Sequence, residues 1–288
     1  MMSPSIHAQD HARTFRDLHR AFFVMPNPWD VTTARMLASF GFRAIATSSA
    51  AFAWSRGVAD GGVTRDQAIA HAAALSEATG LPINGDFEDG FGDSPQDVAE
   101  TVRAAIDAGI AGCSVEDLWR NGPEPLHHST AACRRIEAAR TAIEQARSDF
   151  VLTARCEAFF TPATDPLALA CSRVRLYREA GADVLYVPLL RTPEAVTAVM
   201  DAADGHPVNV LMGVGGISDD PAALEALGVT RISSGSGLAR TALGAFLNAV
   251  KALAAGDVDL PGAVGSSVIE AVLANCPGPA ATDPSALR

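Results

Sequence analysis

Residues 84–93 read N-G-D-F-E-D-G-F-G-D and follow directly on the short apolar run 81–83. The run predicts a strand, and the decapeptide is what that strand delivers at its end. Side chains two apart on a strand share a face, so Asp86 and Glu88 are expected to point one way and Phe87 the other. Gly90 and Gly92 then break the chain. Two carboxylates aimed together need a cation or a shared proton to coexist. Acids before a turn can also be simply solvated, so the surroundings must decide.

Outward from this strand the chain alternates. Apolar, β-branched runs at residues 22–25, 44–47, 81–85, 112–115, 150–154, 184–187, 208–212 and 231–233 predict eight strands. Helical patterns at 32–39, 65–79, 96–108, 130–147, 166–180, 193–201, 222–227 and 238–254 follow them in turn, with Thr64 as the N-cap of the second. Strict alternation of this kind predicts an α/β protein, a (βα)8 TIM barrel. An N-terminal helix at 14–21 precedes it and an extra C-terminal helix at 266–274 follows. We read residues 1–288 as a single domain, the barrel occupying about 20–254 and a C-terminal helix and tail 255–288.

Composition removes several classes of function. The chain has 288 residues, 48% of them hydrophobic, enough for one large core. Its formal charge of -11 argues against a nucleic-acid partner, and no apolar run approaches the roughly 18 residues of a membrane span. The first ten residues lack a basic segment leading into an apolar one, so a cytoplasmic protein is expected. Five cysteines without C-x-x-C spacing fit a reducing compartment. The only lysine is Lys251, inside a helical pattern, which leaves no strand-end lysine for a Schiff base. The histidines fall on helices or loops, which gives no strand-borne zinc set.

Catalytic groups of such barrels gather where strands end. Here those ends carry Ser48 and Ser49, Asp86 and Glu88, Glu116, and Arg155, with Asn209 inside the seventh strand. Three acids from neighbouring strands beside an arginine and two hydroxyls describe a hard-cation site next to an anion clamp, because magnesium takes oxygen ligands and arginine grips a planar carboxylate. The glycine turns G-V-G-G and S-G-S-G after strands seven and eight are either phosphate cradles or ordinary tight turns.

The runs G-D-F-E-D-G-F-G, S-V-E-D and A-R-C-E-A-F, in that order and joined by N-P-W-D and T-S-S-A, resemble the isocitrate lyase and phosphoenolpyruvate mutase superfamily over roughly residues 20–250. The resemblance implies magnesium, or manganese in its place, bound by Asp86 with Glu88 and Glu116 holding its waters. It implies a substrate carboxylate cradled by Ser48, Ser49 and Ala50, with Trp29 and Asn209 as further binding residues. Asp60 would stand beside the reacting bond and Arg155 would clamp the substrate. The shared chemistry is formation or cleavage of a carbon–carbon or carbon–phosphorus bond next to a carboxylate.

The departures are as specific as the matches. The lyases carry K-x-C-G-H after strand four, and their cysteine protonates the leaving product; here the loop reads R-N-G-P-E-P-L-H-H and places Glu124 there. The mutase lysine is missing too, and Pro188 stands where a strand-six glutamate is expected. Three functions therefore follow as expectations: a magnesium-dependent lyase or hydrolase of a small oxo- or hydroxy-carboxylate, a phosphonate mutase or hydrolase, and a non-catalytic carboxylate-binding barrel. Cys113 and Cys156 are expected to face the helix layer as bystanders. The resemblance also implies that terminal helices exchange between barrels to give a homodimer or homotetramer.

Overall fold

The computed structural model describes residues 6–217, 220–260 and 262–276; the expected tail beyond 276 lies outside them. Helix α1 (Ile6–Leu18) opens the chain and is followed by β1 (Phe23–Met25), α2 (Val31–Ser39), β2 (Ile45–Ala46), α3 (Ser49–Ser55), α4 (Arg65–Thr79), β3 (Ile83–Asp86), α5 (Pro95–Asp107), β4 (Gly112–Glu116) and α6 (Ser129–Gln145). The second half comprises β5 (Val151–Arg155), a 3-10 turn (Ala158–Phe160), α7 (Pro166–Glu179), β6 (Val184–Tyr186), α8 (Pro193–Ala203), β7 (Val208–Leu211), α9 (Pro221–Ala226), β8 (Arg231–Ser233), α10 (Gly237–Ala254) and α11 (Ser266–Ala274). The eight strands run parallel in the order β1-β8-β7-β6-β5-β4-β3-β2. Ala46 N–H donates to the Pro26 carbonyl at 3.1 Å across the remaining seam, so the sheet curls into the expected (βα)8 barrel.

Local chemistry explains where the helices begin. Asp30, Thr64 and Ser94 each accept the N–H three residues on, and Thr33, Gln67 and Asp97 reach back to complete the reciprocal cap. Helix α3 was not anticipated. The sequence pattern assigns no element between the strand at 44–47 and the helix at 65–79, but Ser48 caps a two-turn helix there by accepting Ala51 N–H at 3.4 Å.

Alternation on the strands divides the barrel into two environments. Ile83, Cys113, Val115, Leu152, Ala154, Leu185, Val208, Val210 and Ile232 face outward into the core shared with the helices. Burying side chains such as Leu75 and Ile83 stabilises by about 1.5–3 kcal/mol each. Inward, Phe23, Met25, Ala46, Val151 and Val184 form a smaller apolar cluster sealed by Phe15 and Leu18 of α1, which plugs the N-terminal end. Above that plug the inward side chains become polar. Cys113 and Cys156 sit fully buried in the outer core, on the expected side.

Candidate active site

A cavity of about 500 Å³ opens at the C-terminal ends of the strands, the end at which such barrels place their chemistry. Asp86, the last residue of β3, lines it. Its backbone N–H donates to Thr47 Oγ1 at 2.7 Å, its Oδ2 accepts Ser49 N–H at 2.9 Å, and its Oδ1 lies 3.4 Å from Arg155 Nη1. Glu116 ends β4, buried, 3.2 Å from Arg155 and 3.1 Å from Arg120.

Glu88 reaches the same cluster by a route that alternation does not describe. The strand stops at Asp86, and Glu88 takes a left-handed backbone conformation with φ of 49°. Its placement is tertiary. Arg135 of α6 donates from Nη1 to the Gly92 carbonyl at 2.7 Å and from Nη2 to the Asp89 carbonyl, while Thr101 Oγ1 donates to the Gly90 carbonyl at 2.8 Å. Gly90, with φ of 82°, admits no side chain here, because a Cβ would lie 2.9 Å from Val98 Cγ2. Glu88 then pairs with Arg120 at 3.0 Å, and Phe87, expected to point the other way, is fully buried in the outer core.

Charge is crowded on this side. Burial pushes the Glu88 carboxyl up to about 7; Arg120 pulls it down, and Asp86, Asp60 and Glu116 push it up again. Burial likewise raises Glu116, against Arg155, and raises Glu157 to about 8, against its ion pair with Arg155. Burial works against the Arg155 charge, but Glu157, Glu116 and Asp86 outweigh it and hold the guanidinium ionised. The Arg155 guanidinium also lies 5.5 Å from the centre of the Tyr186 ring.

Among the described residues no three acid, histidine or cysteine side chains converge closely enough to chelate a metal on their own. The arrangement instead fits a cation that keeps its waters. Asp86 alone of the three acids faces the cavity, Glu88 and Glu116 stand behind it, and Glu88 Oε1 is buried with no hydrogen-bond partner, a lone pair open to a donor such as an ordered water. Magnesium uses few carboxylates directly and retains several waters.

The other expected residues divide. Ser48, Ser49, Ala50, Asp60, Arg155 and Asn209 line the cavity with Asp86. Ser48 does so as the cap of α3, and Asn209 with both ends of its amide engaged, Oδ1 by Arg231 at 2.8 Å and Nδ2 by Ser233 at 3.0 Å. Trp29 is not in the wall; its N–H donates to Thr33 Oγ1 at the start of α2. The N-P-W-D stretch contributes Asn27 instead, whose Oδ1 accepts Ser234 and Gly235 N–H and whose Nδ2 donates to the Thr47 carbonyl at 2.8 Å. Glu124 lies outside the cavity, in a groove with Leu126, His128, Thr161 and Pro162. The loop that carries it is tied outward: Trp119 N–H donates to the Pro125 carbonyl, Arg173 Nη2 to the His127 carbonyl and Arg173 Nη1 to Asp117. Arg120, not Glu124, is the loop residue that meets the acids.

Sequence reasoning missed Asn84, Ser114, Tyr186, Arg231 and Ser233, all in the wall. Alternation could have found them, since each sits an even number of residues from an inward-facing neighbour on its own strand.

Fold and site together define a (βα)8 barrel with a charge-lined cavity of the kind that handles small anions. The phosphoenolpyruvate phosphomutase family profile matches residues 15–254, and the chain belongs to that family, within the phosphoenolpyruvate mutase and isocitrate lyase superfamily. A Burkholderia cenocepacia J2315 structure described as a candidate lyase/mutase is 43% identical, with a TM-score of 0.89 over 94% of this chain and 100% of that one. Uncharacterized protein Rv1998c of Mycobacterium tuberculosis is 33% identical over 263 residues, 90% of this chain and 96% of its own. The structure of 2,3-dimethylmalate lyase is 26% identical with a TM-score of 0.80, over 93% of this chain and 94% of that one.

Proposed function

We propose that the protein is an enzyme dependent on magnesium or manganese that cleaves a carbon–carbon bond in a small oxo- or hydroxy-carboxylate, by way of an enolate of a pyruvate-like fragment. The observation that supports this most is the surplus of acid around one arginine: Asp86, Glu116 and Glu157 each lie against Arg155, with Glu88 beside them. A divalent cation held by Asp86, its waters ordered by Glu88 and Glu116, would supply the positive charge that an enolate oxygen needs. Arg155 orients the substrate carboxylate. Its Nη1 and Nε face the acids, while its Nη2 makes no hydrogen bond among the described residues and is available to the substrate. Ser48, Ser49 and Ala50 line the same cavity, and Asp60 is an exposed member of its wall.

Among the described residues no cysteine or histidine lines the cavity, and Glu124 lies outside it. Cleavage of methylisocitrate releases pyruvate as the ketone and leaves a succinate carbanion that a placed acid must protonate on carbon, whereas loss of carbon dioxide from oxaloacetate leaves the bonding electrons in a pyruvate enolate that water can protonate. Oxaloacetate-like oxo acids are therefore the expected substrates, together with substituted malates, whose smaller monocarboxylate carbanion is open to protonation by water and for which the likeness to 2,3-dimethylmalate lyase speaks; isocitrate and methylisocitrate are expected to be poor ones. A panel assay for magnesium-dependent release of pyruvate, glyoxylate or phosphate tests this directly. Release of phosphate alone would favour a second reading, a phosphonate enzyme, for which Gly215, Gly235, Ser236 and Arg240 in the cavity wall speak. Magnesium-dependent oxalate binding with no turnover of any panel member would leave a carboxylate-binding barrel.

The protein is also proposed to be a cytoplasmic homodimer or homotetramer. Only Ala239 of α10 is buried, while Leu243, Phe246, Leu247, Val250 and Leu253 stand exposed on it, an apolar face larger than a monomer needs. A single monomeric species in sedimentation at micromolar concentration would refute this. No described helix is long and apolar enough to cross a membrane.

A further inference from the structure

Beneath the cavity, on the side away from the acids, lies a buried cation with no acid beside it. Arg231 of β8 is 1% exposed and forms no salt bridge among the described residues. Its guanidinium is held by neutral acceptors: Nε donates to Asn209 Oδ1 at 2.8 Å, Nη2 to Thr153 Oγ1 at 3.1 Å, and Nη1 meets His19 Nε2 at 3.1 Å. Burial pushes the guanidinium down to about 9, with only the Tyr186 phenol working against it. Buried charges in proteins are paired, or they are retained for a ligand that pairs them.

Arginine can only donate, and this fixes the direction of every bond around it. His19 Nε2 must be the acceptor, so its proton sits on Nδ1 and is given to the Phe15 carbonyl at 2.8 Å. The Asn209 carbonyl must face Arg231, so the amide nitrogen faces Ser233 and donates to its Oγ at 3.0 Å. Ser233 therefore has its oxygen occupied as an acceptor and its proton unclaimed by any protein group among the described residues. Ser233, Asn209 and Arg231 all line the cavity, across from Asp86. Arg240, exposed and without a salt bridge among the described residues, lines the same side.

We infer that Arg231, acting through Asn209, leaves Ser233 with a free hydroxyl proton backed by positive charge, and that this relay is a subsite for a second anionic group on the substrate, at the end remote from the metal. This rests on the proposed function for the position of the first carboxylate, and it narrows the substrates to those carrying two anionic ends. Arg231 is here a positioning residue. The chain of donors strengthens along its length, since each bond polarises the next.

The relay makes a prediction that a purely structural arginine does not. Because Arg231 is buried without an acid, Arg231→Met removes an unpaired charge along with three hydrogen bonds, two effects of opposite sign, and should unfold near the wild-type temperature while losing ligand. Calorimetry and thermal unfolding on wild type, Arg231→Met, Arg231→Lys and Ser233→Ala, with oxalate, succinate and 3-phosphonopropionate, test it. Oxalate, which needs only the metal end, should bind all four proteins within about twofold. Succinate should weaken at least tenfold in Arg231→Met, about fivefold in Ser233→Ala and least in Arg231→Lys, which keeps the charge. Comparison with 3-phosphonopropionate reports whether a carboxylate or a phosphonate is preferred at the remote end. Succinate binding unchanged in Ser233→Ala and Arg231→Met would overturn the inference, and so would a folding defect in Arg231→Met joined to normal succinate binding by Ser233→Ala. If oxalate shows no magnesium-dependent binding to the wild type, the metal reading fails instead, and the relay is judged on succinate without metal, which Arg231→Met must abolish.

Discussion

The two halves of the cavity bury charge in opposite ways. Over β3–β5, four acids, Asp86, Glu88, Glu116 and Glu157, are gathered around two arginines, Arg120 and Arg155. Under β7–β8, Arg231 is held by an amide, a hydroxyl and an imidazole, with no acid in ion-pair contact among the described residues. Each half is incomplete, with opposite sign. An excess of buried carboxylate is relieved by a cation and an excess of buried guanidinium by an anion, so the imbalance itself predicts which ligand each half receives.

The comparison breaks most sharply at Asp86. Asp86→Ala removes the one acid of the rim trio that faces the cavity and touches no core packing, so kcat/KM is expected to fall roughly a thousandfold or more with the unfolding temperature little changed. Metal affinity measured by calorimetry must fall with it; an unchanged affinity removes Asp86 from the metal site. Next in size is Arg155→Met. It takes the cation away from three carboxylates that remain buried, so it is expected both to lose roughly a hundredfold or more in kcat/KM and to destabilise the fold by about 3–5 kcal/mol. Arg231→Met is expected to cost far less stability, because it orphans hydrogen-bond acceptors but no carboxylate, and parallel denaturant titrations of the two variants place the contrast on one scale. Equal destabilisation of both would mean that the two halves do not differ as described.

A smaller effect separates the halves by pH. Burial first, then Arg231, lowers His19 to about 3 from its ordinary 6.5, so the folded protein keeps it neutral while the unfolded chain protonates it below 6.5. Its contribution to stability is present above pH 6.5 and is lost as pH falls towards 3. His71, lowered to about 4 by burial, acts in the same direction. His19→Gln keeps an acceptor for Arg231 and should flatten the acid limb of the stability profile by one proton; an unaltered limb would show that His19 is protonated in the folded state. The smallest expected effect is at the lid. Glu124→Ala should change kcat/KM by no more than about twofold, because Glu124 faces the outer groove. A tenfold loss on the preferred substrate would show that the loop brings Glu124 over the cavity during turnover.

The eight alternating units, the strand ends bearing Asp86, Glu116 and Arg155, the buried Phe87 and the outward cysteines were legible from residue order, because helix and strand periods and caps act over a few residues. What escaped was fixed by contacts between distant parts of the chain. Glu88 joins the acids because Arg135, on a helix far along the sequence, grips the turn beyond it. Asn27 rather than Trp29 faces the cavity because it must bond both β2 and the turn after β8. Glu124 lies outside because Arg173 and Asp117 tie its loop to α7. Arg231 reads in the sequence only as the start of a strand, and its significance lies in having no acid in ion-pair contact among the described residues and in a histidine 212 positions away. A sequence records which charges exist and on which face of an element they fall. Whether a buried charge is balanced depends on distances across the closed barrel, and those exist only once the barrel has formed.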